Sequence, residues 1–244
     1  MASRYFTRNL VIAASLCLSG ALAQAADRSQ QGLFKRLTVL APAGNAEVAY
    51  HLGMFLNNGI GTAQDNKAAF KYFLQGAEAG NELAAFKVGC YYAGQFSGVV
   101  PVDLDLALKY KLRAAEAGYD LAQQGVGAHY AKGGDLAQAL VWFDRASRQG
   151  DLSSTALLAR HYAADESPDK VKGLALMQLL KERAPQPSPQ LEERIKAVEA
   201  ELTPEQRAAA ASIKSTWGNE PTPLTRQARN AGTQVSELLA SLEK

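Results

Sequence analysis

Few residues in this 244-residue chain could do chemistry. Three histidines occur, His51, His129 and His161, with two cysteines, Cys17 and Cys90. An enzyme needs a nucleophile beside a base, an acid–base pair, or a metal set. The sequence holds no His-Glu-x-x-His, no Gly-x-Ser-x-Gly and no phosphate-binding loop. Gly94-Gln95-Phe96-Ser97-Gly98 places its serine one position too late for a nucleophile elbow. Gly125-Val126-Gly127 lacks the third glycine and the preceding strand of a dinucleotide site. His129 and His161 each stand directly before a tyrosine, Tyr130 and Tyr162. Equivalent positions in stacked repeats lie side by side, so a metal pair is the sharper reading. No carboxylate cluster accompanies them to complete a shell, and imidazoles packed on a core edge are the plainer reading. Cys90 reads as a small buried hydrophobe, with redox chemistry or intermolecular pairing as the alternative. The expectation is no catalytic residue, no metal ligand and no cofactor.

The elements that position these residues repeat. Asn45 to Gly80 closes on Gly76-Ala77-Glu78-Ala79-Gly80, and Asn81 to Gly118 closes on Ala114-Ala115-Glu116-Ala117-Gly118. A third unit ends at Gly150, and a degenerate fourth follows. Self-similarity at a period in the thirties marks a helical repeat array. Gly53, Gly89, Gly127 and Ala159 fall at one position, and Leu56, Tyr92, Tyr130 and Tyr162 fall three residues later. In the second helix of each unit, Ala69, Ala107 and Ala139 coincide, as do Tyr72, Tyr110 and Trp142. A small residue in a helix allows close approach, and an aromatic fills the space beside it. Gly89 and Gly127 are therefore expected to tolerate alanine with modest loss but not leucine.

These motifs resemble the Sel1-like repeat family, relatives of the tetratricopeptide repeats. Leu52-Gly53, Gly59-Ile60-Gly61, Asp65 and Lys67-Ala68 carry the resemblance in the first unit. Val88-Gly89, Tyr92 and Asp105 carry it in the second, and Val126-Gly127 and Tyr130 in the third. It covers about residues 33–185. It implies an all-α, right-handed α-solenoid of Sel1-like or tetratricopeptide-like helix pairs, closed by C-terminal capping helices.

The ends of the chain differ from the array. Arg4 and Arg8 precede an apolar run from Leu10 to Leu18, followed by Ala23-Gln24-Ala25. This reads as a secretory leader over residues 1–25, cleaved before Ala26. Removing it leaves 24 basic against 24 acidic side chains, which argues against a nucleic-acid partner and leaves no integral membrane segment. The expected place is the periplasm. The array then spans 26–185, opening with a capping helix from Leu33 to Ala43. Residues 186–244 form a C-terminal helical cap and tail. Ser188-Pro189, Thr203-Pro204 and Thr222-Pro223 each open a helix, and Thr203 with Gln206 forms a capping box. The apolar side of the second runs through Ala209, Ile213 and Trp217. The third reads as one helix from Leu224 to Leu242, docked back or mobile.

Such a stack offers a concave face, lined by first helices, to another protein. The outward positions expected there are Tyr50, Met54, Asn57, Phe86, Gln124, Lys132 and Arg160. The resemblance extends to exported Sel1-like proteins encoded beside type VI secretion phospholipase effectors. It implies a non-enzymatic binding protein, either an immunity protein for such a toxin or a cell-envelope assembly or signalling adaptor. A cell-wall hydrolase is the remaining alternative. Related hydrolase-like repeats carry paired cysteines in each unit, and this sequence does not.

Overall fold

The computed structural model describes residues 29–242, except 168 and 187. The expected leader, with Cys17, lies outside the described residues. Among the described residues all regular structure is helical, and the fold is an α-solenoid built of antiparallel helix pairs. Two compact units emerge. The first comprises residues 29–101 with 231–242, and the second comprises 102–230.

In the first unit, helix α1 covers residues 29–40 and tightens into a 3-10 turn, Ala41–Ala43, ended by Gly44 at φ 78°. Then come α2 (Ala46–Asn58), α3 (Asn66–Glu78) and α4 (Glu82–Tyr92). The final helix, α13 (Ala231–Leu242), packs on α2 with Val235 and Leu239 buried. The last helix is therefore docked.

The second unit begins with α5 (Leu104–Glu116), α6 (Asp120–Lys132) and α7 (Leu136–Arg148). It continues through α8 (Leu152–Tyr162) and α9 (Lys170–Arg183), then α10 (Pro189–Glu201), α11 (Pro204–Thr216) and α12 (Pro223–Arg229). Its core joins Phe143, Leu158, Leu174 and Leu176 to Val198, Ala210 and Trp217 of the C-terminal helices. Ala210, rather than the expected Ala209, faces that core.

Local chemistry explains the punctuation. Asn45, Asp65, Asn81, Asp103, Asp135, Asp151 and Asp169 each accept a hydrogen bond from an amide of the following first turn. Gly80, Gly118 and Gly150 close their helices at φ 93°, 97° and 93°, where a side chain would be strained. Each closure pairs two bonds: Asn81 N to Gly76 O with Gly80 N to Ala77 O is the first instance. The reciprocal pattern is the Schellman motif. The capping box at Thr203 forms as expected, with Gln206 Oε1 accepting from Thr203 N at 2.9 Å.

One first helix lacks this cap. Tyr119 precedes α6, and its side chain caps none of the helix's first amides. Instead, Asp120 N donates to Thr225 Oγ1 of α12 at 3.1 Å. Thr225 Oγ1 also donates to Gln149 Oε1 at 2.8 Å, while Gln149 Nε2 donates to Gly118 O at 2.8 Å and to Gln123 Oε1 at 2.9 Å. Arg229 pairs with Asp120 at 2.6 Å. Just upstream, Trp217 Nε1 donates to Ser147 Oγ at 3.0 Å, and the Arg148 guanidinium lies 4.1 Å above its ring. The segment 217–230 thus runs along the closing turns at Gly150 and Gly118. The expected single helix from Leu224 to Leu242 breaks at Asn230, where α12 ends with its N–H on the Arg226 carbonyl and α13 starts anew. Asn is a weak helix former and an acceptable terminator.

The repeated glycines occupy contacts closer than the sequence suggested. A Cβ on Gly53 would lie 2.7 Å from the Phe73 ring, and one on Gly127 would lie 2.7 Å from the Phe143 ring. Both rings are buried. Alanine at Gly127 therefore meets a buried ring that must shift to admit it. Gly127→Ala recovers about 1 kcal/mol of helix propensity but overpacks a buried ring at a typical cost of about 1–3 kcal/mol. Thermal unfolding of Gly127→Ala should show a net loss. The double variant with Phe143→Leu should lose less than the sum of the two single changes.

Candidate functional site

The expected partner-facing residues divide by burial. Tyr50 is only 4% exposed. Its ring lies 6.3 Å from Phe73 of α3 and 5.1 Å from His51, and burial, aided by the Glu47 charge, pushes its hydroxyl up to about 12. Asn57 is 6% exposed, and its side-chain oxygen accepts from Tyr91 Oη at 2.8 Å. Neither faces solvent, which corrects the exposure expected of them: both point into the packing of α2 against α3 and α4. Met54, Phe86 and Gln124 are half-buried, and Lys132 and Arg160 are exposed.

Arg160 stands between two clefts of the second unit. One, of 390 Å³, is lined by Ala128 and Ala131 of α6, Leu136 and Leu140 of α7, and Leu157 and His161 of α8, with Arg160 at its edge. The other, of 780 Å³, lies between α8 and α10 and includes Ala156, Met177, Leu191 and Arg194. Arg194 is already engaged: it donates to Ala163 O at 2.5 Å and pairs with Asp165 at 2.8 Å. That hydrogen bond and the guanidinium charge hold the Asp165 carboxyl below its usual range. Arg160 has no such partner among the described residues. Leu136 beside it is half exposed at 49%. The arrangement is an apolar floor with one uncommitted guanidinium. That combination is suited to anchoring a protein surface. The residues of the floor were missed by the outward positions read from sequence, which named only Arg160 here.

The remaining candidate chemistry has local explanations. His129 and His161 each pack edge-on against the following tyrosine, with ring centroids at 6.0 Å and 4.9 Å. Among the described residues no group of three or more His, Cys, Asp or Glu could hold a metal ion. Cys90 is buried. No described helix is long and apolar enough to cross a membrane.

His51 lines a third cleft, of 250 Å³, between α1, α2 and α13, together with Leu33, Met54, Phe55 and Val235. Burial pushes its imidazole down from 6.5 to about 4. The Glu47 carboxylate is 4.0 Å away, and its other oxygen accepts from Asn81 Nδ2. Above pH 6.5 the group is neutral in both states and contributes nothing to the pH dependence. As pH falls through that value the unfolded chain takes up the proton and the native one does not, so stability falls. The loss reaches about 2 kcal/mol by pH 5. The drop in thermal midpoint between pH 7.5 and pH 5 should therefore be smaller in His51→Gln than in the unsubstituted protein.

Comparison with known proteins adds the following. Residues 46–81, 83–119 and 120–151 match the Sel1 repeat. No curated protein matches the chain. One solved structure that does is a protective antigen present in uropathogenic Escherichia coli strains and displaying an SLR fold, at 20% identity and TM-score 0.47. The alignment covers 79% of this chain and 50% of that one, so this chain spans half the antigen's length. A Sel1 repeat protein from Oxalobacter formigenes matches at 28% identity and TM-score 0.44, over 50% of this chain and 93% of that one.

Proposed function

The chain carries three Sel1 repeats, and from that premise we propose that it is a non-enzymatic protein-binding repeat protein of the periplasm. The observation that carries the binding reading is the apolar cleft bordered by the uncommitted Arg160. A guanidinium without a partner beside exposed Leu136 is a surface awaiting complementary chemistry. The periplasmic reading rests on Arg4, Arg8, the Leu10–Leu18 run and Ala23-Gln24-Ala25. In its specific form the protein is an immunity protein that occludes a secreted phospholipase-type toxin. The leader and the Sel1 repeats support this, since a toxin delivered to the periplasm must be met there.

Processing is checked first. The secreted chain should begin at Ala26 on N-terminal sequencing of periplasmic protein, and recovery of Met1 from the cytoplasm would contradict the location.

Binding is checked by capture from periplasmic extract on the immobilised protein. Arg160→Ala should weaken capture of the partner by about 2 kcal/mol or more if it is an anchor. Lys132→Ala should change it little. Circular dichroism confirms that both variants fold. For the immunity role, co-expression should protect a periplasm of the same strain from its phospholipase toxin. Tight partner capture without protection would assign the protein to envelope assembly or signalling instead.

A further inference from the structure

The cleft at α2 is walled by a late helix of the chain. Counted from the closing glycines, His51, Met54 and Phe55 after Gly44 hold the places that Leu157, Arg160 and His161 hold after Gly150. At α8 a helix of the array, α6, lines the cleft through Ala128 and Ala131. At α2 that wall is α13, through Ala231, Gly232 and Val235. The two walls are held differently. Helix α6 packs on both α5 and α7, whereas α13 follows the break at Asn230 and buries only Val235 and Leu239. An element near a chain end with few buried contacts opens locally before the rest of its unit does.

His51 lies under this wall. It is 3% exposed, and it shares the cleft with α13 and with Gln30 and Leu33 of α1. Among the described residues lining the cleft, only His51 titrates. On its own helix, the Glu47 carboxylate is 4.0 Å away and is shared with Asn81, the residue that caps α4. The Tyr50 ring lies 5.1 Å away, and its hydroxyl, held up at about 12, stays protonated. Lys35 and Arg36 of α1, Lys67, Lys71 and Glu78 of α3, and Glu237 of α13 are exposed and stand outside the cleft. Glu82 and Lys87 of α4 are half-buried and also stand outside it.

We infer that α13 is an acid-released latch: protonation of His51 frees this helix from α2 and bares the face at Met54 and Phe55, while α3 stays folded. The latch goes beyond the binding reading and does not depend on it. Its sign follows from solvation. With α13 seated, burial holds the imidazole down at about 4, and with α13 released, water reaches it and the value returns toward 6.5. Above pH 6.5 the ring is neutral in both forms, and acid has no hold on the latch. Between those two values only the released form takes up the proton, so the equilibrium moves toward release. From pH 7.5 to pH 5 the shift is about thirtyfold. Once freed, a helix of 12 residues is marginal in water, so its amides exchange.

Hydrogen–deuterium exchange of the full mature protein, read by mass spectrometry on residues 231–242 and 66–78, tests the latch. Each rate is divided by the intrinsic rate at that pH. Opening of α13 should rise about thirtyfold between pH 7.5 and pH 5, with α3 protected at both. His51→Gln should bring that ratio to about one, whatever it does to the absolute rate. Val235→Ala removes a buried anchor, so it should raise opening at both pH values and keep the ratio. A ratio near one in the unsubstituted protein overturns the inference. So does a thirtyfold rise that survives in His51→Gln, or loss of α3 protection together with that of α13, which marks unfolding of the whole unit. No partner enters this measurement, so its failure leaves the binding function standing, and failure of partner capture leaves the latch standing.

Discussion

The structure depends on a phenylalanine ring lying against a helix backbone. At Gly53 and again at Gly127 the first helix of a repeat offers no side chain, and Phe73 or Phe143 from the second helix fills the place a Cβ would take. Such contact brings the two axes closer than any larger residue permits, because interiors are packed to crystal-like density. The same closeness orients the rest of each first helix. With Gly127 turned toward Phe143, the residue after it, Ala128, falls at the edge of the α6–α8 cleft. Gly76 extends the pattern: a Cβ there would sit 3.2 Å from Ala46 O and 3.1 Å from the Ala84 side chain. The binding surface is in this sense a by-product of the packing.

A second constraint comes from the end of the chain. Helix α6 starts without the Asn or Asp that caps most other helices of the array, and Thr225 supplies the missing acceptor. Gln149, Gln123 and Gly118 then complete a buried polar cluster around Thr225 in which each amide and hydroxyl has a partner. Burying these groups is tolerable only because the cluster is satisfied. Trp217 contributes differently, bonded to Ser147 and covered by Arg148, so the C-terminal segment is held by both apolar and polar means. The terminal helices of the second unit are consequently part of its core, as terminal elements of a repeat array must be.

Much of the fold was legible in the sequence, and the reasons are local. Closing glycines, Asn and Asp caps, and hydroxyl–proline helix starts all act within one turn, so their pattern can be read directly. The docking of α12 on Gly118 is not readable in this way, because Thr225 and its partners are far apart in sequence. Tyr50 and Asn57 show a related limit. A helical wheel places them outward, but α2 is packed by α3 and α4 on the flanks the wheel leaves open, and Tyr91 reaches Asn57 from the next repeat. Arg160 was found because a charge at an outward position stays outward. The apolar floor beside it was missed because Ala128, Ala131 and Leu157 look like ordinary core residues. Counting positions from each closing glycine would have aligned the α8 wall with the α2 wall.

The central claim is that the first-helix face at α6 and α8 is where the partner sits. Amide hydrogen exchange of the full mature protein, with and without its captured partner, tests it most directly. The account predicts new protection in the α6–α7 turn and along α8, including residues 157–161, with α3 and α11 unchanged. Protection confined to α3, α11 or α12, with α8 exchanging as in the free protein, would contradict it.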